Sequence, residues 1–148
     1  MRIVLPPTLF VLFIIIMGAA WWQIEPSYHL AFPYNLIGLL FIASGLILSS
    51  SGKALFRKLD TNIMTFDKPD KLVTEGAFKH TRNPMYLGLV GAMLGFSLLM
   101  GATILSMVLT VLFFLIIDRW YIAFEERVML RKFGKDYETY CRKVRRWI

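Results

Sequence analysis

The sequence predicts an all-α integral membrane protein with four transmembrane helices, followed by a helical segment on the cytoplasmic side or at the membrane interface. The first observation behind this prediction is composition. Hydrophobic residues make up 57% of the 148 residues, and the mean hydropathy of +0.57 is high for a soluble globular domain. The second observation is that charged residues are absent from three long stretches. The chain is predicted to form one domain, because no linker or repeat divides it.

The charge-free stretches define the predicted spans. Residues 3–24 and 31–52 form runs of 22 residues each, and residues 83–117 form a run of 35. A helix needs about 20 residues to cross a hydrocarbon core of about 30 Å, so the third run is divided at a turn near Gly101. We therefore predict spans over residues 3–24, 33–52, 84–100 and 103–124, a polar loop over 53–83 and a tail over 125–148.

The distribution of Lys and Arg predicts the orientation in the membrane. Of the 17 cations, one lies at the N-terminus, seven lie in residues 53–83 and nine lie from residue 119 onward. We expect both termini and the long loop to be cytoplasmic, in the inner membrane if the chain is prokaryotic. The net charge of +7 then reflects topology and attraction to anionic lipid. Nucleic-acid binding is not needed to explain it.

The start of the third span combines features of an anion site. In "FKHTRNPMYLG", residues 78–88, Pro84 suits the first turn of a helix and moves Asn83 out of helical geometry. The free N–H groups of that helix start, together with Arg82, attract negative charge. Tyr86 lies one turn further along the helix.

Two adjacent carboxylates, Glu125 and Glu126, stand at the end of the fourth span. They point about 100° apart on a helix, so we expect one of them to face the helical bundle. Ionisable groups at this depth indicate a functional site, although salt bridges to Arg127 or Arg119 are an alternative explanation. The sequence lacks the nucleotide-binding glycine motifs and the Cys/His clusters of metal sites, so no metal is expected.

Two further patterns concern helix faces. Gly88, Gly91 and Gly95 form a flat strip, which favours close helix packing but could also leave a gap for a lipophilic ligand. In the tail, Gly134 is expected to end a helix, and a second helix should begin at Lys135. That second helix has an apolar stripe and basic neighbours, which is typical of an interfacial membrane helix. The stripe consists of Tyr137, Tyr140, Val144 and Trp147.

Residues 70–148 resemble the isoprenylcysteine carboxyl methyltransferase family and its phospholipid methyltransferase relatives, in the form of a small prokaryotic member. The resemblance rests on "LVTEGAFKHTRNPMYLG" and, two membrane passes later, "EERVMLRKFGKDYETYCRKVRRWI". It implies a membrane methyltransferase that uses S-adenosylmethionine. The implied donor-binding residues are Leu72, Val73, Gly76, His80, Arg82, Asn83, Pro84, Tyr86, Glu125 and Glu126, and the implied catalytic residues are Arg82, Glu125 and Arg119.

Each part of this donor has a matching group in the implied site. Its carboxylate suits Arg82, its cationic sulfur suits the ring of Tyr86, and its ammonium and hydroxyls suit Glu125 or Glu126. Arg119 is expected to steer an anionic acceptor. A carboxylate acceptor needs no base, whereas an amine, thiol or hydroxyl acceptor would use Glu125 or His80.

Several alternatives remain open at this stage. The acceptor is expected to be lipophilic or membrane-embedded, and it could be an isoprenylcysteine-type carboxylate, a phospholipid amine, a small thiol or another lipid-like molecule. A membrane reductase of the sterol-reductase type would bind NADPH instead, but the paired carboxylates would repel its phosphates. A non-catalytic scaffold would bind neither molecule. Many eukaryotic family members carry histidine in place of Asn83. In this chain, Asn83 either binds the donor or shapes the turn before Pro84.

Overall fold

The computed structural model describes residues 5–23, 29–61 and 71–148, and these ranges are helical without any β-strand. Residues 3–4 and 24 of the predicted first span and residues 62–70 of the predicted loop lie outside the described residues. Six α-helices follow one another along the chain. They are α1 (Pro6–Gln23), α2 (Ile37–Lys58), α3 (Pro84–Leu99), α4 (Ile104–Ile116), α5 (Ala123–Phe133) and α6 (Lys135–Lys143).

Within the described residues, three helical segments are long and apolar enough to cross a membrane: Pro6–Gln23, Tyr34–Lys58 and Ile104–Phe133. The predicted third span corresponds to α3, which has only 16 residues and a length of about 24 Å. The helix that contains the predicted second span continues to Lys58, six residues beyond its predicted end. This extension follows from its sequence, because "KALFRK" is charged but composed mostly of good helix formers.

Local sequence explains where α3 and α4 begin. Asn83 is not helical and Pro84 occupies the first turn of α3, as predicted. At the other end, Gly101 adopts a φ of +84° in the turn that separates the two helices. The side chain of Thr103 then accepts a hydrogen bond from the backbone N–H of Ser106 and caps α4. The predicted turn near Gly101 is therefore confirmed.

Glycines join α2 and α3 into a tightly packed antiparallel pair, which we call the glycine seam. Gly38 faces Gly95, and Gly45 faces Gly88. A Cβ atom at Gly45 would collide with the carbonyl oxygen of Gly88, and the reverse holds for a Cβ at Gly88. The strip on α3 is thus filled by helix packing at these positions, so it leaves no gap for a ligand there. Gly91 lies at the margin, where an added Cβ would be 4.0 Å from the Cα of Gly45.

Aromatic side chains pack α1 against the hairpin of α3 and α4. The rings of Phe10 and Phe13 lie 5.9 and 5.5 Å from the ring of Phe113, and Phe10 also contacts Phe96 at 6.2 Å. Phe113 is fully buried. This core fixes the hairpin, and the hairpin in turn carries α5 back toward the start of α3.

A π-helical segment, Ile117–Ile122, connects α4 to α5 without a break. The chain then turns at Gly134, whose φ of +47° lets α6 follow directly, so the predicted helix end and the new start at Lys135 are confirmed. The apolar stripe of α6 is buried within the protein. Tyr137, Tyr140 and Val144 pack together with a set of partly buried side chains, namely Leu72, Met129, Phe133 and Cys141.

Candidate active site

The start of α3 and the start of α5 meet in a pair of polar contacts. The hydroxyl of Tyr86 donates to Oε1 of Glu125 over 2.6 Å, and Nη1 of Arg82 lies 3.1 Å from Oε1 of Glu126. The side chains of Arg82 and Glu126 are only 16% and 19% exposed, so this ion pair is largely shielded from water. As expected, the two carboxylates diverge: Glu125 faces α3 within the bundle, and Glu126 faces the cation.

The loop before α3 is held in place by α2 and α6. The ring of Phe78 packs edge-on against Phe56 at 5.4 Å, and its carbonyl accepts a hydrogen bond of 2.6 Å from the hydroxyl of Tyr140. Burial raises the pKa of Tyr140 to about 12, so this hydroxyl stays a donor at neutral pH. The loop therefore presents Arg82 to α5 from a fixed position.

The residues after α6, Val144–Ile148, form a C-terminal arm that lies against both halves of the cluster. The guanidinium of Arg146 binds both oxygens of Glu126, and its Nη1 lies 3.2 Å from Oδ1 of Asp118. Trp147 donates from its ring nitrogen to the same Asp118 oxygen over 2.8 Å. Hydrogen bonding to Glu126 raises the pKa of Arg146, so the guanidinium remains charged.

The arm also fastens the turn before α3. Its Arg146 carbonyl accepts hydrogen bonds from the side chains of Asn83 and Thr81, at 3.0 and 3.2 Å. The backbone N–H of Arg82 donates to the carbonyl of Arg145 over 3.0 Å. The side-chain amide nitrogen of Asn83 is thus engaged with the arm, while its backbone N–H donates to Thr81.

Two cavities border the Arg82–Glu126 ion pair. The inner cavity, about 70 Å³, is lined by Val73, Asn83 and Glu125 among others, and the outer cleft has a volume of about 800 Å³. Arg82, Glu126 and Tyr137 line both. The outer cleft falls in the size range of small-molecule sites, roughly 300–1,000 Å³, whereas the inner one does not. One donor in the wall is unused: Nε of Arg82 is buried without a hydrogen-bond partner.

Most of the residues implied by the resemblance gather at this place. Val73, Arg82, Asn83, Glu125 and Glu126 line the inner cavity, and the buried Pro84 and Tyr86 lie directly behind it on α3. Leu72 packs on the tyrosines of α6 instead.

Three of the implied residues lie away from the cluster. Gly76, with a φ of +58°, is exposed near Leu55 of α2, and His80 is exposed on the loop. Arg119 has an 81% exposed side chain and lies 3.4 Å from the outer oxygen of Asp118. Neither His80 nor Arg119 is among the residues that line the two cavities in the described part of the chain.

Sequence reasoning missed Asp118, Arg146 and the role of Trp147. Asp118 could have been found, because it is a lone carboxylate at the edge of a long apolar run and such groups rarely lack a function. Arg146 gives no comparable signal, because four cations crowd the last seven residues. Within the described ranges, no three His, Cys, Asp or Glu side chains are grouped so that they could hold a metal ion.

Similarity to known proteins agrees with this geometry. Residues 34–136 match the family described as phospholipid methyltransferase. The chain is 31% identical over 116 residues to the protein-S-isoprenylcysteine O-methyltransferase of Schizosaccharomyces pombe, a match that covers 75% of this chain and 48% of that protein. It is 39% identical over 64 residues to an uncharacterized protein of Haemophilus influenzae, covering 43% of this chain and 100% of that protein. No solved structure matches the chain significantly.

The chain spans about half the length of the Schizosaccharomyces pombe protein. The matched family region extends over more than half of the chain and includes both walls of the site, the start of α3 and the carboxylates of α5. The resemblance predicted from the sequence is confirmed, and the chain belongs to the phospholipid methyltransferase family.

Proposed function

We propose that this protein transfers a methyl group from S-adenosylmethionine to a lipophilic acceptor held in or at the membrane. Family membership supports a membrane methyltransferase in general terms. The observation that carries the proposal is that Arg82 and Tyr86 of one motif contact Glu126 and Glu125 of the other at a shared cavity. Two motifs that lie far apart in sequence thus form one polar site.

The chemistry of this site fits the methyl donor. Nε of Arg82 is a buried donor without a partner, and a carboxylate from a ligand would satisfy it. Glu126 borders the outer cleft, where an ammonium or ribose hydroxyls would find an acceptor. The inner cavity is too small for the whole donor, so we assign the bulk of it to the outer cleft. When bound, S-adenosylmethionine supplies a methyl group on a cationic sulfur, which becomes a neutral thioether once an acceptor takes the methyl group.

In this proposal the protein acts by positioning the reactants. Methyl transfer is an in-line displacement, so its rate depends on holding donor and acceptor close, aligned and shielded from water. The fixed contacts of Arg82 and Tyr86 with α5 provide that rigidity. Glu125 would act as a base only for an amine, thiol or hydroxyl acceptor, because a carboxylate acceptor is already ionised at neutral pH.

For the acceptor we propose a carboxylate of the isoprenylcysteine type, methylated on oxygen. The support is the similarity to the Schizosaccharomyces pombe relative, which is a protein-S-isoprenylcysteine O-methyltransferase. A lipophilic acceptor also suits a site that lies where apolar helices end. Phospholipid amines and small thiols are the competing acceptors.

We further propose that α3 is a fourth crossing and that the site faces the cytoplasm. Support for the crossing comes from the glycine seam, because α3 packs antiparallel along the candidate span that contains α2. Met85 lies beside Gly52 at one end of the seam, and Gly95 lies beside Gly38 at the other. Support for the orientation comes from the cations, because the site lies in the part of the chain that is rich in Lys and Arg.

Calorimetric titration of the purified protein in detergent tests the donor. We expect S-adenosylmethionine to bind and NADPH not to bind, because the carboxylates repel a polyphosphate. Binding of NADPH alone would favour a reductase. Binding of neither molecule would favour a scaffold and overturn the proposal.

A labelling experiment tests the acceptor. Membranes that contain the protein are incubated with S-adenosylmethionine carrying a radioactive methyl group, and the lipid extract is treated with base. We expect the label to be released as volatile methanol, because base hydrolyses a methyl ester and leaves N- and S-methyl groups intact. Label that resists base would indicate N- or S-methylation and would overturn the carboxylate assignment while leaving the methyltransferase intact.

A further inference from the structure

Arg146 is joined to Glu126 in a way that no other residue of the arm reproduces. Its planar guanidinium binds both carboxylate oxygens, which is the geometry that makes Arg–carboxylate pairs strong and directional. Glu126 therefore has one fixed orientation, and the Oε1 atom it shares with Arg82 lies 3.1 Å from the Arg82 Nη1. The same Nη1 of Arg82 also donates to Sγ of Cys141 over 2.7 Å, so Glu126 is one of its two partners. That partner is held in place by a contact made two residues before the last described residue of the chain.

The same residue acts on the opposite wall through its backbone. The carbonyl of Arg146 accepts from Asn83 and Thr81, on both sides of Arg82 in the sequence. Arg146 therefore holds Glu126, on the acidic wall of the site, through its side chain. Through its backbone carbonyl it holds the residues on both sides of Arg82, on the basic wall. Asp118 binds the guanidinium from behind, and Trp147 donates to the same oxygen of Asp118.

Arg146 is not among the residues that line the two cavities in the described part of the chain, and its contacts there are with Glu126 and Asp118. We infer that Arg146 is a positioning residue for the donor site, which holds Glu126 and thereby Arg82 in the geometry that receives the donor. This inference rests on the proposed function, because it presumes that S-adenosylmethionine binds at Glu126 and Arg82.

Substitution of the Arg146 side chain tests the inference while leaving the backbone contacts available. In Arg146→Lys the charge remains but the two-pronged contact is lost, so Glu126 can turn toward Arg82 alone. In Arg146→Gln the charge is lost as well. Misplacement of binding groups by about 1 Å is costly, so we expect the dissociation constant for S-adenosylmethionine to rise by about tenfold in Arg146→Lys and by more in Arg146→Gln.

Lys143→Gln is the matched control. Lys143 is exposed, three residues before Arg146, and its side chain makes no ion pair with the described residues, although its substitution removes the same charge. We expect its dissociation constant to stay within about twofold of the wild type. A long-range effect of net charge would weaken binding equally in Lys143→Gln and Arg146→Gln, and that result would overturn the inference.

The measurement is calorimetric binding of S-adenosylmethionine and of its demethylated product, well below the unfolding midpoint of each variant, together with KM for the acceptor. A positioning role predicts weaker donor binding in Arg146→Lys with an unchanged acceptor KM and a folded protein. Wild-type affinity in folded Arg146→Lys and Arg146→Gln would overturn the inference, as would a loss that only follows the unfolding midpoint. If the wild type itself binds no S-adenosylmethionine, the proposed function fails first, and that outcome is distinct from the others.

Discussion

The length of α3 and its N-terminal end are held by opposite kinds of contact. Along its length, the glycine seam joins α3 to α2 through backbones that touch because side chains are missing. At its N-terminus, α3 meets α5 and the C-terminal arm through long charged side chains such as Arg82 and Arg146. The seam depends on the absence of Cβ atoms at its glycines, whereas the polar cluster depends on where the charged groups of its side chains lie.

This difference indicates how the protein separates stability from chemistry. A close backbone seam holds α3 at a fixed distance from α2, and it offers no group that could act on a substrate. The polar cluster brings two cations and three carboxylates together. We therefore expect substitutions in the seam to change unfolding, and substitutions in the cluster to change ligand binding.

The largest effect is expected for Arg82→Ala, which removes the central cation of the cluster. Loss of one partner from a shielded, hydrogen-bonded charge pair costs about 2–5 kcal/mol, so donor affinity should fall by about 100-fold or more. Calorimetry with S-adenosylmethionine measures this. Arg57→Ala, at an exposed cation near the end of α2, is the control and should bind as the wild type does. Equal losses in both variants would mean that only net charge matters.

The next effect concerns the seam. In Gly88→Ala the new Cβ collides with the Gly45 carbonyl oxygen, so the helices must separate. Overpacking of this kind costs about 1–3 kcal/mol and should lower the midpoint of thermal unfolding in detergent. Gly91→Ala adds the same atom to the same helix with its nearest contact at 4.0 Å, and should leave the midpoint almost unchanged. Identical midpoints for the two variants would contradict the seam.

A smaller effect is expected for Tyr86→Phe, which keeps the ring but removes the hydrogen bond to Glu125. A hydrogen bond within a protein contributes about 0.5–1.5 kcal/mol net, so kcat/KM should fall by about two- to tenfold. Tyr34→Phe makes the same change at a tyrosine that is 73% exposed and should be neutral. If Tyr86→Phe keeps full activity, the contact between the two motifs has no catalytic importance.

The smallest effect is expected for Arg119→Gln. Sequence resemblance implies that Arg119 steers the acceptor, but its side chain is 81% exposed and its pair with Asp118 is 3.4 Å long. Exposed ion pairs contribute about 0–1 kcal/mol, so kcat/KM should change by less than about fivefold. A much larger rise in the acceptor KM would restore the steering role and extend the site to this side of the helix.

Local signals made the framework predictable. Pro84 marked the first turn of α3 because proline is compatible with only a few helical positions, and Gly101 and Gly134 marked turns because they adopt a positive φ. The glycine strip on α3 was recognised, whereas its partners Gly38 and Gly45 on α2 were not. Their spacing of seven residues, repeated at Gly52, was the available signal.

Contacts between distant segments were harder to predict. The amphipathic stripe of α6 correctly indicated an apolar contact, but a stripe does not say whether lipid or protein covers it. Here Leu72 and Met129 contribute to that cover. Arg146 reaches Glu126 across 20 residues and Asp118 across 28, and no periodicity or capping rule links such positions. Only the three-dimensional path of the arm brings them together.

The π-helical segment Ile117–Ile122 helps to determine the direction in which Glu125 and Glu126 point from the helix. Its wider turns displace everything downstream around the helix axis relative to an uninterrupted α-helix. If the same six residues were wound as an α-helix, Glu125 and Glu126 would turn by about 100° away from their present partners. The fit between the two motifs is therefore a matter of helical register, because an α-helical segment of the same length would keep both carboxylates in the sequence while pointing them elsewhere.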